Sequence, residues 1–288
     1  MSKLHVCRTI HACRAYRASK KGRIGYVPTM GGLHAGHIQL LTAAHLTPVD
    51  HLFTSIFVNP LQFSSTDTDG GVARYPKTLE SDIQKLELNK VDMLFAPLAD
   101  EMIGQNEELC INSGIFEERA EGRARPGFCN GVATILTKMF HIIQPTDVFM
   151  GAKDALQCVL VQRLVRDFNF DITVHIIPTV REEDGLALST RNQYLSIEER
   201  KVAKVVYAAL REAQRVFEQA GRNVPATVLR KVVQDMYVTE PMISKVEYIS
   251  IASKKNMEEM ETVTADGAIL SVALFINQTK RLIDNIYI

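Results

Sequence analysis

The chain has 288 residues, with 33 basic and 33 acidic side chains balancing to zero formal charge. That length suits one large domain or two moderate ones, and the lack of a basic excess speaks against nucleic acid as the main partner. Hydrophobic residues make up 46% and charged residues 23%, ordinary for a globular protein, and no stretch of about 18 apolar residues offers a membrane span.

The first segment carries His5, Arg8, His11, Arg14 and Arg17 and no apolar run resembling a secretory signal. Five cysteines, Cys7, Cys13, Cys110, Cys129 and Cys158, are odd in number and never spaced Cys-x-x-Cys, which suits neither a disulfide framework nor a cysteine zinc site. A reducing cytoplasm is the expected location. Arg23 to Pro28 reads as a short strand entering a turn, and from His34 the apolar positions Ile38, Leu40, Leu41 and Ala44 recur with helical spacing. His51 to Val58 is apolar nearly throughout, as expected of a buried parallel strand, and stops at Asn59-Pro60. A helix from Lys77 to Leu88, a strand at Met93 to Ala96, a helix near Val132 to Ile143 and a strand at Val148 to Met150 follow. A helix over Asp154 to Phe168 and a strand at Thr173 to Pro178 extend an alternation that predicts βαβ units around a parallel sheet.

Composition changes after Arg181. Two amphipathic helices, Ile197 to Ala220 and Val224 to Val238, precede an alternating strand at Val246 to Ile251, and the apolar run Ala268 to Ile276 closes the chain. The expected fold is α/β. A parallel-sheet domain over 1–180 joins a smaller α+β domain over 181–288 through a hinge near Pro178 to Arg181.

Three segments carry chemistry. Val27-Pro28-Thr29-Met30-Gly31-Gly32-Leu33-His34-Ala35-Gly36-His37 runs from a strand through a glycine turn into a helix with two histidines at its start. Open helix N-termini present unpaired N–H groups and the positive end of the dipole, so they bind anions. Histidines three apart share a face and can add donors to the same phosphate oxygens. Gly36 leaves room for a flat ring to approach the backbone. The bland alternative is a pair of surface histidines, and a zinc pair would need a third ligand that no nearby cluster supplies.

Gly151-Ala152-Lys153-Asp154 forms another strand-to-helix turn, the place where ligands of open α/β sheets gather. Lys153 there can set a point charge against a phosphoryl group, although a loop lysine is usually only solvated. Asp184-Gly185-Leu186-Ala187-Leu188-Ser189-Thr190-Arg191-Asn192 places two hydroxyls before an arginine, a compact donor set for outer phosphates. On a loop beyond a hinge it can close over a ligand; read blandly, it is a helix cap with a surface arginine. Gln62 and Gln157 are neutral amides able to orient a hydroxylated acid, or simply solvated glutamines.

Together these segments resemble the pantothenate synthetase family, the pantoate–β-alanine ligases of the HIGH-signature nucleotidyltransferase superfamily. The resemblance runs from Arg23 to Asn285. It includes Pro28 to His37, Ser55 to Phe63, Ala73 to Thr78, Arg125-Pro126-Gly127, Asp184 to Asn192 and Arg281-Leu282-Ile283-Asp284-Asn285. It implies a Rossmann-like first domain, a homodimer, and a two-step reaction of pantoate, β-alanine and ATP with Mg2+. Pantoyl adenylate and pyrophosphate form first, and the β-alanine amine then releases pantothenate and AMP. By matching positions, Met30, Gly31, Gly32, Leu33, His34, Ala35, Gly36 and His37 would bind ATP, with His37 as proton donor and His34 on a phosphate. Gly151, Ala152, Lys153, Asp154, Val180, Leu188, Ser189, Thr190 and Arg191 would complete the nucleotide site. Gln62 and Gln157 would hold pantoate, and Lys153 and Arg191 would stabilise transition-state charge.

The chain departs from the family's usual pattern at Ala152, where glutamate is common, at Ala155 (an aromatic) and at Leu156 (glutamine). Phe128 replaces the histidine of an Arg-Pro-Gly-His-Phe segment, Asn130 an arginine, and Thr190 a serine. Two rival readings follow. One is a nucleotidyltransferase acting on a phosphate-bearing acceptor, which would want cations where Gln62 and Gln157 stand. The other is a silent homologue that serves as a binding protein, supported by the altered run from Gly151 to Gln157.

Overall fold

The computed structural model describes residues 3–63, 71–104 and 109–288. Its first lobe begins with β1 (His5–Cys7), α1 (Ile10–Ala18), β2 (Ile24–Thr29), α2 (Ala35–Leu46), β3 (His51–Ile56), α3 (Gly71–Arg74) and α4 (Leu79–Leu88). It continues with β4 (Met93–Phe95), α5 (Ala99–Met102), α6 (Ala120–Ala124), α7 (Phe128–Ile143), β5 (Asp147–Gly151), α8 (Ala155–Asp167) and β6 (Thr173–Ile177). The six strands form one parallel sheet in the order β1-β4-β3-β2-β5-β6. Leu40, Leu41, Leu52, Leu86 and Leu94 fill one side of it, and Phe53, Met93, Ile143, Val148 and Leu160 the other.

The order of strands positions the cleft. From β2 the chain winds outward through β3 and β4, and from β5 it winds the other way to β6. The boundary between β2 and β5 is therefore the topological switch point, where such sheets collect ligands beyond their carboxyl ends. β2 pairs with β5 at Gly25–Asp147 and Tyr26–Val148, whereas its register on β3 continues to Thr29. A crevice opens where β2 and β5 part.

The second lobe comprises α9 (Ile197–Gln219), β7 (Val224–Pro225), α10 (Ala226–Val238), β8 (Ile243–Ala252), β9 (Thr262–Val263), β10 (Ile269–Ile276) and β11 (Lys280–Tyr287). β8 and β11 flank β10 in an antiparallel sheet, and β10 is buried along its whole length. Val206, Leu210, Leu229 and Val233 of α9 and α10 pack on it. The fold class is as expected, α/β with a smaller α+β lobe.

Four elements differ from the sequence reading. β1 and α1 are present in the segment read only for its basic residues; β1 is short and α1 is largely polar, so neither shows a clear period. The run Ala268 to Ile276 does not close the chain, because β11 follows it. Lys280, Arg281, Asp284 and Asn285 break the apolar signal of that strand, yet Asp284 and Asn285 are 3% exposed. α7 begins at Phe128 rather than Val132, after Gly127 turns the chain at φ +84°. Its Gly131 lies so close to the Pro60–Gln62 turn that a Cβ would sit 2.2 Å from the Leu61 carbonyl oxygen. Only glycine lets α7 support that turn.

Candidate active site

At the end of β2, Gly31 and Gly32 adopt φ +88° and +65° and carry the chain toward α2. The sequence suggests that the amides of this turn await an anion. Instead, Asp82 of α4, fully buried, accepts the Gly32 and Leu33 N–H groups at 2.8 and 2.9 Å, and Thr78 donates to it at 2.9 Å. A buried carboxylate holding two amides fixes the turn before any ligand arrives.

His34 is the N-cap of α2, and its Nδ1 accepts the Gly36 N–H at 3.1 Å. His37 closes the capping box, its Nδ1 accepting the His34 N–H at 3.2 Å. With Nδ1 an acceptor in both rings, each neutral imidazole carries its proton on Nε2. Burial, then the charges of Lys153 and Lys85, lower the His34 pKa. Burial, then His34, with a further contribution from Lys153, pushes His37 down to about 3. The pair thus offers two neutral N–H donors. The flat ring that approaches Gly36 is the His34 imidazole itself, 2.8 Å from where a Cβ would stand.

At the end of β5, Gly151 leads to Lys153, whose ammonium lies 3.1 Å from the Asp154 carboxylate. Burial alone would raise the Asp154 pKa, but Lys153 beside it, with Arg191 and Arg125, brings it below the usual carboxylate range. Asn285 of β11 donates to the carbonyls of Ala152 and Lys153 at 2.9 and 2.6 Å, tying the second lobe to this turn. Gln62 is oriented by Asn59, whose amide donates to its Oε1 at 3.1 Å and to the Gly131 carbonyl at 3.1 Å. The Gln62 NH2 then points to the Met30 sulfur at 3.1 Å, leaving a second N–H for a ligand oxygen.

The third segment also crosses between lobes. Leu188 N–H bonds to the Val180 carbonyl at 2.9 Å, Ser189 Oγ accepts the Arg191 N–H at 3.3 Å, and the Thr190 hydroxyl donates to the Gly32 carbonyl at 3.2 Å. Thr190 is therefore occupied as a latch between the lobes, while the Ser189 O–H can still donate. Tyr75 lies beneath it; burial, moderated by its bond to Thr190, raises the phenol pKa.

These side chains line two connected chambers. The inner one, of about 220 Å3, is walled by Met30, His34, Gly36, His37, Gln62, Gly151, Lys153, Asp154, Gln157, Val180 and Leu188 to Arg191. The outer one, of about 490 Å3, shares Met30, Gln62, Lys153, Gln157 and Arg191 with it. Gly31, Gly32, Leu33, Ala35 and Ala152 line neither; they shape the turns. Gln62 and Gln157 meet at the junction of the chambers although they lie far apart in sequence. Phe128, Ala155 and Leu156 form an apolar wall of the outer chamber, with Arg125 stacked 4.3 Å above the Phe128 ring. Ala152 is 7% exposed and lines neither chamber, and Asn130 holds Ser113 instead of entering the cleft. Asp82, Asn59 and Asn285 position the site; Asn59 and Asn285 lie in segments of the resemblance to which no positioning role was given, and Asp82, a buried polar residue inside a helix, has no local signature.

Comparison with known proteins accords with this geometry. A model of the pantoate-beta-alanine ligase family matches residues 5–287. The pantothenate synthetase of Chloroflexus aggregans is 42% identical over 282 residues, covering 98% of this chain and 99% of its own. That of Geobacillus sp. is 42% identical over 274 residues, covering 94% and 93%. Among solved structures, a pantothenate synthetase from Thermus thermophilus superposes with a TM-score of 0.88 at 37% identity, covering 98% of this chain and 99% of that one. A pantoate-beta-alanine ligase from Francisella tularensis, complexed with beta-gamma ATP and beta-alanine, gives 0.79 at 30% identity, covering 99% and 97%. The chain belongs to the pantoate–β-alanine ligase family and is an enzyme of pantothenate synthesis.

Proposed function

We propose that the chain performs its family's ligation of pantoate to β-alanine through a pantoyl adenylate made from ATP. The observation that carries this reading is the convergence of His34, His37, Lys153 and Arg191 with Gln62 and Gln157 on one cleft at the switch point. ATP would occupy the inner chamber, against Gly151, Val180 and Leu188. Its phosphates would face the Nε2–H groups of His34 and His37, the Ser189 hydroxyl, Lys153 and Arg191. Gln62 and Gln157 would hold pantoate by its oxygens without adding charge.

A pantoate carboxylate oxygen attacks the α-phosphorus, the bond from that phosphorus to the bridging oxygen breaks, and pyrophosphate leaves with the electron pair. Lys153 and Arg191 stabilise the charge that grows in this step, and the preorganised imidazole donors stabilise it without reorganising. The β-alanine amine then attacks the acyl carbon, the bond to the AMP oxygen breaks, and the nitrogen gives up a proton. Magnesium would come on the nucleotide's phosphate oxygens and neutralise part of their charge, and Asp154, a carboxylate of the inner chamber, fits beside it. The division into a nucleotide- and pantoate-binding domain over 1–180 and a lid over 181–288, a homodimer and a cytoplasmic location belong to the same reading and rest on the resemblance. No helix among the described residues is long and apolar enough to cross a membrane.

A single-turnover experiment tests the adenylate. With pantoate and ATP but no β-alanine, pyrophosphate should appear in a burst stoichiometric with sites, and AMP should follow once β-alanine is added. Pyrophosphate release that requires β-alanine from the start would exclude the intermediate.

A further inference from the structure

A third cavity, of about 190 Å3, adjoins the cleft, with Arg74, Arg191, Tyr194, Lys280 and Arg281 on its wall. Among the described residues, every charged side chain lining it is a cation. The outer chamber is different: among the described residues, its seven basic side chains stand beside four acidic ones. Arg281 already has Glu121 and Glu247 at 2.6 and 2.7 Å. Arg74 and Lys280 make no ion pair among the described residues. The carboxylate that acts on Lys280, Glu199, is committed to the Ser196 N–H and the Asn277 amide. A concave wall to which Arg74 and Lys280 add positive charge with no carboxylate partner among the described residues concentrates polyanions.

Arg191 lines the inner chamber, the outer chamber and this cavity, so the cavity lies against the Arg191 end of the cleft. Arg74 comes from the first lobe and Lys280 from the second. The Tyr194 hydroxyl holds the Arg74 carbonyl at 2.8 Å, which joins the two walls. We propose that this cavity is a pyrophosphate-binding vestibule that takes the leaving group from the inner chamber past Arg191 and holds it during release. The proposal rests on the adenylate reading for the source of its ligand. Its recognition chemistry is charge-assisted hydrogen bonding to a compact polyanion, with Arg74 and Lys280 as the groups not used elsewhere.

The test is a double variant, Arg74→Gln with Lys280→Gln, which leaves the backbone bond from Tyr194 in place. The inhibition constant of inorganic pyrophosphate should rise about tenfold while the KM for ATP stays within about twofold, because two charged donors to the product alone are lost. Lys280→Arg should retain wild-type inhibition. An inhibition constant unchanged in the double variant, or rising only in step with the KM for ATP, overturns the vestibule. Calorimetric titration of inorganic pyrophosphate into the ligand-free chain keeps this separate from the catalytic reading. Weaker binding by the variant supports the vestibule even if no adenylate forms, and equal binding overturns it even if adenylate forms.

Discussion

The two strand-to-helix turns that meet at the cleft treat their backbone amides in opposite ways. After β2, the Gly32 and Leu33 amides go to Asp82, and those of His34 and Gly36 go to the two imidazoles. After β5, Asp154 provides no side-chain cap to α8, and Asp154, Ala155, Leu156 and Gln157 all line the chambers. The first turn is complete within the protein and, in the proposed reading, would meet an anion with fixed, neutral Nε2–H donors. The second keeps its helix start open and would meet an anion with the Lys153 charge and the positive end of α8. One turn supplies rigidity and the other supplies charge.

The largest expected effect exposes that division. Lys153→Ala should lower kcat by about 10²–10³ with the KM for ATP little changed, since a preorganised charge acts on the transition state. Its thermal midpoint should stay near that of the wild type. His37→Ala should lose comparable activity and also about 1 kcal/mol of stability, because the ring caps the helix as well as facing the cleft. Steady-state kinetics with thermal unfolding read both. A stable His37→Ala beside an unstable Lys153→Ala would reverse the contrast.

A smaller effect separates the glycines. Alanine at Gly32 must adopt φ +65° with its Cβ 2.5 Å from the Thr190 methyl, so Gly32→Ala should cost roughly 1–2 kcal/mol or more and loosen the latch between the lobes. At Gly151 a Cβ meets nothing within 4 Å, and Gly151→Ala should leave stability within about 0.5 kcal/mol while weakening ATP binding. Equal unfolding midpoints for the two variants would show that the first turn is no stiffer than the second.

The smallest effect is one of titration. His37 has a folded pKa of about 3 against an ordinary 6.5, so on acidification the unfolded chain takes up the proton first. The contribution of this group to stability is complete above pH 6.5 and shrinks as pH falls from 6.5 toward 3. Ring-nitrogen NMR should therefore show His37 as the neutral Nε2–H tautomer at pH 5, with no titration between pH 5 and 8. A midpoint near 6.5 would mean that the imidazole is not held in the capping box.

Some features of this molecule are local, and the chain order displays them. Apolar runs at β2 and β3 mark buried strands and the periodic face of α9 marks an amphipathic helix, because strand burial and helix period are written in neighbouring residues. The glycine turns before His34 and Lys153 stand out for the same reason, and their residue types point to phosphate. The collinear set from Pro28 to Asn285 marks the family.

What tertiary structure alone decided is lateral. That β2 lies beside β5, and parts from it after Tyr26, follows from sheet order, which no single segment encodes. Asp82 reaches Gly32 and Asn285 reaches Lys153 across long separations, and the cost of burying them is offset by backbone groups that sequence alone does not associate with them. Sequence named His34 and His37 as donors, but the ring nitrogen left free to donate is set by which amide each Nδ1 accepts, a matter of three-dimensional geometry. The cationic cavity likewise exists only because Arg74 and Lys280, from different lobes, come together around Tyr194. Periodicity and turn chemistry act between neighbours in the chain, whereas charge and hydrogen bonding act between neighbours in space.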